Sequence, residues 1–407
     1  MKAKFISQGH LIDSGILTRT LNLIIEMGAD YEITEFRIGK TNLDISHLEL
    51  EITCREELFP HLSTELTNLG CYDKDVQEAT LRPAPKDSCV PEDFYSTTNH
   101  RTQVFLRGAW REVKNQSMDG VIAASDSELV CKKLREVKKG DLVVCSSRAV
   151  RLIPHFRERE SSEFGFMAND VSSERSVEVA VNKVVHELRA EKERGNKVVA
   201  VAGPVVVHTG GGDALASLIR EGYIHGLLTG NALAVHDIES VLFGTSLGVD
   251  LKSGRPIREG HRNHMMAINR IYFHGSMKKA VEAGALQKGI MYETIRKGIP
   301  FVLAGSLRDD GPLPETVTDI LEAQKQYQEA VRGASMVLML STMLHSIAAG
   351  NMLPSWVKTI CVDINPAVVT KLSDRGSGQT IGIVTDVGPF LRSLAAKLLS
   401  GALSERG

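Results

Sequence analysis

The second half of the sequence contains six short apolar runs that alternate with helical segments. The first run is KVVAVAGP, beginning at Lys197, and it is followed by GLLTG, FVLAG, MVLMLST, TICVDI and TIGIVTD. Their apolarity is continuous, whereas a strand with one solvent-facing surface alternates apolar and polar residues. Continuous apolar strands are typical of a parallel sheet covered by helices on both faces. The pattern therefore predicts an α/β domain over residues 173–407, with a doubly wound, mostly parallel sheet.

The first 172 residues show shorter and more closely spaced signals. Residues 1–95 follow the order strand, helix, strand, strand, helix, with a further strand at VQEATLRP, which predicts a small ferredoxin-like α+β domain. Residues 96–172 contain the short strands TQVFLRG, WREVK, DGVIAAS, DLVVCSS and AVRLI, which predict a short β-rich module and a polar connection. An exposed sheet edge in the first domain would favour a homo-oligomer.

The composition is that of an ordinary globular protein and excludes several functional classes. A formal net charge of -2 lacks the basic excess of a nucleic-acid-binding protein. The six cysteines show no CxxC or metal-ligand spacing, and the sequence starts without a secretory pattern, so we expect no disulfides and a cytoplasmic location. The apolar stretch 335–353 contains too many polar residues for a membrane span, and we expect no membrane partner.

Polar residues concentrate in the loops that follow the apolar strands. The first four loops are GPVVVHTGGGD, TGNALAVHD, AGSLRDDGPLP and LSTMLHS, and VDINP and TDVG follow the last two strands. In an open parallel sheet, ligands bind beyond the carboxyl ends of the strands. Helix capping accounts for only part of this concentration. We therefore expect a dinucleotide site here, although no GxGxxG follows the first strand; the triplet Gly210–Gly212 could approach a pyrophosphate or simply form a flexible loop.

Two of these loops carry acids with alternative roles. Asp363 ends the fifth strand, where a carboxylate can accept hydrogen bonds from both ribose hydroxyls and disfavours a 2′-phosphate, which favours NAD over NADP. The alternative is that Asp363 caps the helix beginning at Pro366, a role for which Asn365 is better placed. Asp386 could equally contact the cofactor or cap a helix, and His345 could equally be a site residue or a core residue.

The third loop contains the cluster of residues that most strongly suggests a catalytic role. Arg308 could bind a substrate carboxylate, while Asp309 and Asp310 could bind an ammonium group and transfer protons. DDGP is also a strong turn sequence, so a plain surface turn stays open. The segment GHRNH, 260–264, could contact phosphate or a metal; with no carboxylate nearby we expect no metal site.

Longer segments carry a family resemblance. VAGPVVVHTGGGDALASLIREGYI, LLTGNALAVHDIESVLFGTSLGVDL, GHRNH, PFVLAGSLRDDGPLP, MLHSIAAGNMLP and VDINPAVVTKLSDRGS resemble the family named for a region of a bifunctional lysine-ketoglutarate reductase/saccharopine dehydrogenase. That family includes archaeal NAD-dependent ornithine cyclodeaminases and the carboxy-terminal part of cyanobacterial bifunctional enzymes. The resemblance covers essentially the whole chain and is densest over 199–388. It implies a Rossmann-type fold related to deoxyhypusine synthase and conversion of L-ornithine to L-proline and ammonia with NAD.

The resemblance also implies a set of cofactor-binding residues. They are Asn231, Ala232, Asp309, Thr342, Met343, Leu344, His345, Asp363, Asp386 and Val387. For catalysis we expect Asp309 or Asp310 to transfer protons and Arg308 to hold the substrate carboxylate. The guanidine-hydrolysing domain of the fused relatives does not precede these segments, so arginine hydrolysis is not expected. The catalytic residues of the crystallin-related cyclodeaminases cannot be carried over.

Two other functions stay open on the residues alone. One is an NAD-dependent amino-acid or saccharopine-type dehydrogenase, which would consume NAD. The other is a protein that senses NAD or an amino acid without catalysis.

Overall fold

The computed structural model describes residues 1–9, 11–12, 15–39, 44–125, 128–145, 147–153, 173–251, 253–255, 257, 260–309, 311–374 and 380–403. These residues form two compact units. The first consists of the described residues up to 153 together with Leu353–Trp356, and the second consists of the rest. None of the described helices is long and apolar enough to cross a membrane.

The first unit begins with a four-stranded antiparallel sheet and two helices. Its elements are β1 Lys2–Gly9, α1 Ile16–Glu26, β2 Asp30–Arg37, β3 Ser46–Thr53, α2 Phe59–Asn68 and β4 Cys71–Asp73. The strand order is β2-β3-β1-β4. Along β3 every second residue is buried, as expected of a sheet whose one face packs on helices. The core includes Phe5, Leu50 and Leu62. The predicted ferredoxin-like order is confirmed.

A second sheet follows in the same unit. Its seven strands are β5 Thr80–Pro83, β6 Arg101–Leu106, β7 Ala109–Lys114, β8 Val121–Ala124, β9 Leu129–Lys132, β10 Leu142–Cys145 and β11 Val150–Ile153, in the order β11-β6-β7-β9-β8-β10-β5. The predicted β-rich module is therefore confirmed. The strand predicted at VQEATLRP forms as β5 but pairs with β10, because β4 already occupies the edge beside β1.

The second unit alternates helices and strands. Its elements are α3 Ser173–Glu193, β12 Lys197–Ala202, α4 Val205–His208, α5 Gly212–Arg220, β13 Gly226–Gly230, α6 Asn231–Phe243, β14 Thr245–Ser246, β15 Val249–Asp250, α7 Asn263–His274, α8 Met277–Glu282, α9 Ile290–Lys297, β16 Phe301–Ala304, β17 Thr316–Val317, α10 Ile320–Val331, β18 Ala334–Leu340, α11 Met343–Met352, β19 Lys358–Asp363, α12 Pro366–Asp374, β20 Thr380–Val384 and α13 Val387–Leu403. The short pair β14 and β15 forms an antiparallel hairpin beside α6.

The large sheet of the second unit is parallel throughout. Its order is β17-β16-β13-β12-β18-β19-β20, and each neighbouring pair is parallel. The central strands are buried on both faces: residues 198–202 of β12 are each at most 1% exposed. The prediction of a doubly wound parallel sheet is confirmed. Since the chain builds β13 and β16 on one side of β12 and then returns to lay β18 on the other side, the strand order reverses between β12 and β18. The crevice at such a switch point is where this fold binds nucleotides.

Candidate active site at the carboxyl edge of the parallel sheet

The two loops at the switch point are packed directly against each other. Gly203 follows β12 and donates its amide to the carbonyl of Leu340, at 2.9 Å. A Cβ at Gly203 would lie 2.2 Å from the carbonyl oxygen of Ser341. Ser341 itself has a φ of 45°, a left-handed conformation that few non-glycine residues adopt. The loop after β18 therefore turns sharply into α11 where only a glycine fits opposite it.

Three loops converge on His345, in the first turn of α11. Its Nδ1 lies 3.2 Å from the Thr342 hydroxyl, and its Cε1 would lie 3.0 Å from a Cβ on Gly230, at the end of β13. Burial lowers the pKa of His345, and the charge of Asp309, in the loop after β16, partly opposes this. His345 is thus a neutral imidazole at neutral pH, between the ends of β13, β16 and β18.

The loop that carries the predicted catalytic cluster forms a closed turn. Asp309 accepts a hydrogen bond from the Ser306 amide at 2.8 Å, and the Arg308 amide donates to the Ser306 hydroxyl at 3.0 Å. The side chain of Arg308 is exposed. Asp310 lies outside the described residues. The described turn spans Ser306–Asp309 and places Asp309 near His345 at the edge of the sheet, whereas the turn predicted at DDGP includes Asp310 and lies outside the described residues.

Asn231, the first residue of α6, is hydrogen-bonded to the segment that follows this loop. Its Oδ1 accepts hydrogen bonds from the Leu313 amide at 2.9 Å and the Thr316 hydroxyl at 3.0 Å, and the side chain is buried. These hydrogen bonds hold the Asn231 side chain within the protein. Gly230 supplies no side-chain cap to α6, so the first-turn amides, including that of half-buried Ala232, are the groups that can meet a cofactor.

Asp363 lies at the end of β19 with apolar side chains beside it. Its Oδ1 accepts the Asn365 amide at 2.8 Å, while Oδ2 accepts no hydrogen bond from the described part of the chain. Asn365 in turn accepts the Ala367 amide at 3.0 Å and so caps α12, which frees Asp363 from that task. Ile364 and Val384 are 69% and 50% exposed next to it. An acceptor between two exposed apolar side chains suits the ribose and base of a nucleoside.

Asp386 and the glycine triplet both belong to the packing around α13. Asp386 accepts the Gly388 amide at 3.0 Å, as a helix cap does, and Val387 is fully buried. A Cβ on Gly388 would lie 2.2 Å from the carbonyl oxygen of Thr209, and Gly211 packs against Gly388. Close contact between the loop after β12 and α13 therefore accounts for part of the glycine requirement at 210–212.

One polar cluster in the second unit was not singled out from the sequence. Its members are His208, His236, Glu239 and His264, and the His236 ring lies 4.9 Å from that of His208 and 6.5 Å from that of His264, measured between ring centroids. His236 and Glu239 are joined at 2.8 Å. The signal was present, because these histidines fall in the polar segments GPVVVHTGGGD, TGNALAVHD and GHRNH.

Only one group of the described residues in the chain has the geometry of a metal site. It consists of Glu35, His47 and Glu49, on β2 and β3 of the first unit. Glu49 already accepts Lys74 at 2.6 Å, and His47 Nδ1 lies 3.0 Å from Gln8 Nε2. These contacts are those of a surface ion-pair network.

Comparison with known proteins decides the family. Residues 182–394 match the family model described as arginine dihydrolase ArgZ-like, C-terminal, Rossmann fold, and residues 101–181 match the first region of the same C-terminal part. Residues 4–100 match the conserved region of the LOR/SDH bifunctional enzyme. The chain belongs to the ArgZ-like family of ornithine cyclodeaminases. This confirms the family predicted from the sequence, and the Rossmann fold with it.

Individual relatives agree with this membership. The chain is 52% identical over 400 residues to an ornithine cyclodeaminase of Methanocaldococcus jannaschii, covering 96% of this chain and 95% of the relative. It resembles the apo structure of ArgZ, an arginine dihydrolase from the cyanobacterial ornithine-ammonia cycle, with a TM-score of 0.86, 40% identity and coverage of 99% of this chain and 59% of that one. It also resembles the ternary complex of AgrE with ornithine and NAD+, with a TM-score of 0.55, 46% identity and coverage of 100% and 58%.

Proposed function

We propose that the carboxyl edge of the parallel sheet is the active site at which this ornithine cyclodeaminase converts L-ornithine to L-proline and ammonia, with NAD as cofactor. The observation that carries this proposal is the convergence of the loops after β13, β16 and β18 on His345, beside the strand-order switch. The AgrE relative, crystallised with ornithine and NAD+, supports the substrate and the cofactor.

The residues along this edge fit a dinucleotide. At the ends of β19 and β20, Asp363 would accept hydrogen bonds from the ribose, and Ile364 and Val384 would contact the base. The segment Thr342–His345 lies at the switch point, and the uncapped first turn of α6 offers amides at the end of β13. Asp386 and Val387 would contribute backbone groups at the start of α13. NAD, when bound, takes a hydride from Cα of ornithine and returns it to the ring imine, so that it is not consumed.

The loop after β16 supplies the groups for the substrate. The exposed guanidinium of Arg308 would hold the ornithine carboxylate. Asp309, together with Asp310, would bind the δ-ammonium group and accept its proton, which frees the δ-nitrogen to close the ring. Holding the δ-nitrogen near Cα makes this closure an intramolecular step, which proximity strongly favours.

Product stoichiometry tests the proposed reaction. The chain is incubated with ornithine and an amount of NAD far below that of ornithine, and proline and ammonia are measured. We expect equal amounts of both and many turnovers for each NAD. A dehydrogenase that consumes NAD would instead stop after one equivalent, and a sensor protein would show no turnover at all.

Kinetics of single-residue variants test the roles proposed for the residues of the loop after β16. Asp309→Asn and Asp310→Asn should lower mainly kcat if the acid transfers a proton and raise mainly KM if it only binds ornithine. Arg308→Ala should raise KM for ornithine. Arg332→Ala is the matched control, because this exposed arginine precedes β18 at the opposite edge of the sheet. Equal kinetics of the Arg308 and Arg332 variants would remove Arg308 from the site.

Self-association is a separate proposal. β2 is an eight-residue edge strand of the first sheet, and its Ile33 is exposed. Such an edge invites pairing with another copy. Analytical ultracentrifugation should show a homo-oligomer, and a monomer at all concentrations would contradict this.

A further inference from the structure

A cluster of three histidines and one glutamate lies beyond the ends of β12 and β13. His208 ends α4, His236 and Glu239 are on α6, and His264 is on α7. The proposed function leaves these groups without a role. The ring of His236 lies between those of His208 and His264, at centroid distances of 4.9 Å and 6.5 Å.

Glu239 is fully buried, and each of its two carboxylate oxygens accepts two hydrogen bonds. Its Oε1 accepts the Thr245 hydroxyl at 2.8 Å and the Gly248 amide at 3.1 Å, and its Oε2 accepts His236 at 2.8 Å and the Leu247 amide at 3.2 Å. Burial alone would raise the pKa of Glu239, but the hydrogen bonds from His236, Gly248 and Thr245 outweigh it and hold the pKa below its usual value. Glu239 is therefore an ionised carboxylate that cannot take a further ligand.

The carboxylate fixes the tautomer of His236. An ionised carboxylate only accepts, so Nδ1 of His236 must carry the proton that points at Glu239. Nε2 is then the basic nitrogen, and the fixed negative charge stabilises the imidazolium that forms when Nε2 takes a proton. His236 is 8% exposed, so its ring is held in place by packing as well.

His208 complements this arrangement as a neutral neighbour. Its Nδ1 lies 2.6 Å from the Ser246 hydroxyl. Burial lowers the pKa of His208 to about 4, and His236 adds to the effect. Among the described side chains, the titratable groups that face His236 are thus neutral His208 from α4, ionised Glu239 from α6 and His264 from α7.

The cluster adjoins the edge at which the cofactor is proposed to bind. Ala232, His236 and Glu239 are spaced i, i+4 and i+7 along α6 and therefore share one face of the helix. One turn of helix, about 6 Å, separates Ala232 from His236. The proposed function places the adenosine at Asp363, at the end of β19. The nicotinamide of the same molecule would then extend toward β13, where this face of α6 begins.

We propose that His236 is the catalytic residue that takes the proton from the α-ammonium group of ornithine and later returns it to the departing ammonia, with Glu239 as its positioning residue. The inference rests on the proposed function. Ornithine presents two ammonium groups, and each must lose a proton at a different step. The acids of the loop after β16 serve the δ-nitrogen, and His236 serves the α-nitrogen.

The atoms balance in this scheme. Transfer of a proton from the α-ammonium group to Nε2 leaves a lone pair on the α-nitrogen. The C=N bond forms as the Cα hydride, with the C–H electron pair, passes to the NAD of the proposed function, and the hydride returns to Cα of the ring imine after ammonia has left. The δ-nitrogen then bonds to Cα, and the α-nitrogen takes the proton from His236 and leaves as ammonia. The δ-nitrogen releases two protons to Asp309 and solvent during closure and regains one in proline. The remaining proton converts ammonia to ammonium.

The test uses the full chain with His236→Gln and Glu239→Gln, and His225→Gln as the control. His225 precedes β13 at the opposite edge of the sheet, where its Nδ1 accepts the Val198 amide. NAD affinity is measured by calorimetry, and kcat and KM for proline formation are measured separately. We expect His236→Gln to bind NAD within about twofold of the parent and to fall about 10²- to 10⁴-fold in kcat/KM. Glu239→Gln should lower mainly kcat and leave KM for ornithine within about twofold, since the ring of His236 loses the carboxylate that fixes its Nδ1 proton.

The outcomes separate this inference from the proposed function. A parent chain that makes no proline from ornithine contradicts the proposed function itself. If the parent is active and His236→Gln binds NAD and keeps the kcat/KM of the parent, His236 is not the proton acceptor. If His236→Gln fails to bind NAD, Glu239→Gln decides, because an unchanged kcat in that variant overturns the proposal. A His225→Gln variant with the same losses would also overturn it, because the effect would then not be specific to the cluster.

Discussion

We propose that Asp363 determines the choice between NAD and NADP. A carboxylate at the end of β19 can accept hydrogen bonds from the ribose hydroxyls and would repel a 2′-phosphate, so NAD should bind more tightly than NADP. Asp363→Ala should weaken NAD about 10- to 100-fold, which corresponds to hydrogen bonds to a charged group. Asp363→Asn keeps the size and an acceptor for the Asn365 amide but removes the charge, so it should narrow the gap between NAD and NADP. Calorimetry with both cofactors measures this, and equal NAD affinity of the parent and Asp363→Ala would remove Asp363 from the site.

His208 should make stability depend on pH. Its pKa falls from 6.5 to about 4 on folding, first because of burial and second because of His236, while Glu239 partly opposes the shift. The unfolded chain therefore binds more protons at His208 between these two values, so the contribution of His208 to the free energy of unfolding falls as the pH is lowered through this window and does not change above it. Urea titrations of the parent and His208→Gln at several pH values should show a steeper loss in the parent. Parallel curves would contradict a neutral His208.

The contrast between Asp363 and Asn231 shows what single residues disclose in a sequence. Asp363 and Asn365 are two positions apart. Local capping rules predict that Asn365, rather than Asp363, caps α12. Asn231 instead accepts hydrogen bonds from Leu313 and Thr316, more than eighty positions away. No local pattern in the sequence indicates such a pairing, so the hydrogen bonds by which this side chain holds the loop could not be predicted. The His236–Glu239 pair was missed for a similar reason, since its meaning depends on His208 and the turn at 245–248.

At the level of elements, the strands were predictable where burial is complete. Continuous apolar runs marked β12, β13, β16, β18, β19 and β20, because a strand buried on both faces cannot alternate. The two-residue β17 carries no such run, and the four-residue β9 alternates too briefly to be recognised. β5 was recognised but given to the wrong sheet, because pairing partners are set by competition among edges rather than by the strand itself.

The switch-point loops should tolerate no side chain at Gly203. A Cβ there would lie 2.2 Å from the Ser341 carbonyl oxygen, a backbone atom that can move only if the loop after β18 moves. Gly203→Ala should cost about 1–3 kcal/mol of stability, as overpacking does, and weaken NAD binding because Thr342–His345 would shift. Gly212→Ala is the matched control: at the start of α5 it meets open space, so it should leave stability equal or slightly higher. Thermal unfolding and NAD calorimetry compare the two variants, and similar losses in both would contradict the packing argument.

Over the whole molecule, the parallel sheet brings together side chains that are far apart in the sequence. Its carboxyl edge unites Asp309, His345 and Asp363, and the face of α6 that starts there continues to His236. Of the two proton acceptors proposed for the reaction, Asp309 lies on the loop after β16 and His236 lies on α6, so they can serve the two ammonium groups of the substrate separately. If this edge is the active site, as proposed, the hydride leaves and returns without release of the intermediate.

The fate of the Cα hydrogen tests this last property. Ornithine deuterated at Cα should give proline that keeps its deuterium at Cα, because the hydride taken from ornithine returns to the ring imine derived from the same molecule. Mass spectrometry of proline measures the retention, and reduced cofactor should not accumulate during turnover. Added unlabelled reduced cofactor provides the control, since it should not dilute the label if the imine stays in the site. Proline without deuterium would mean that oxidation and reduction occur in separate binding events, and the chain would then act as a dehydrogenase whose product closes its ring in solution.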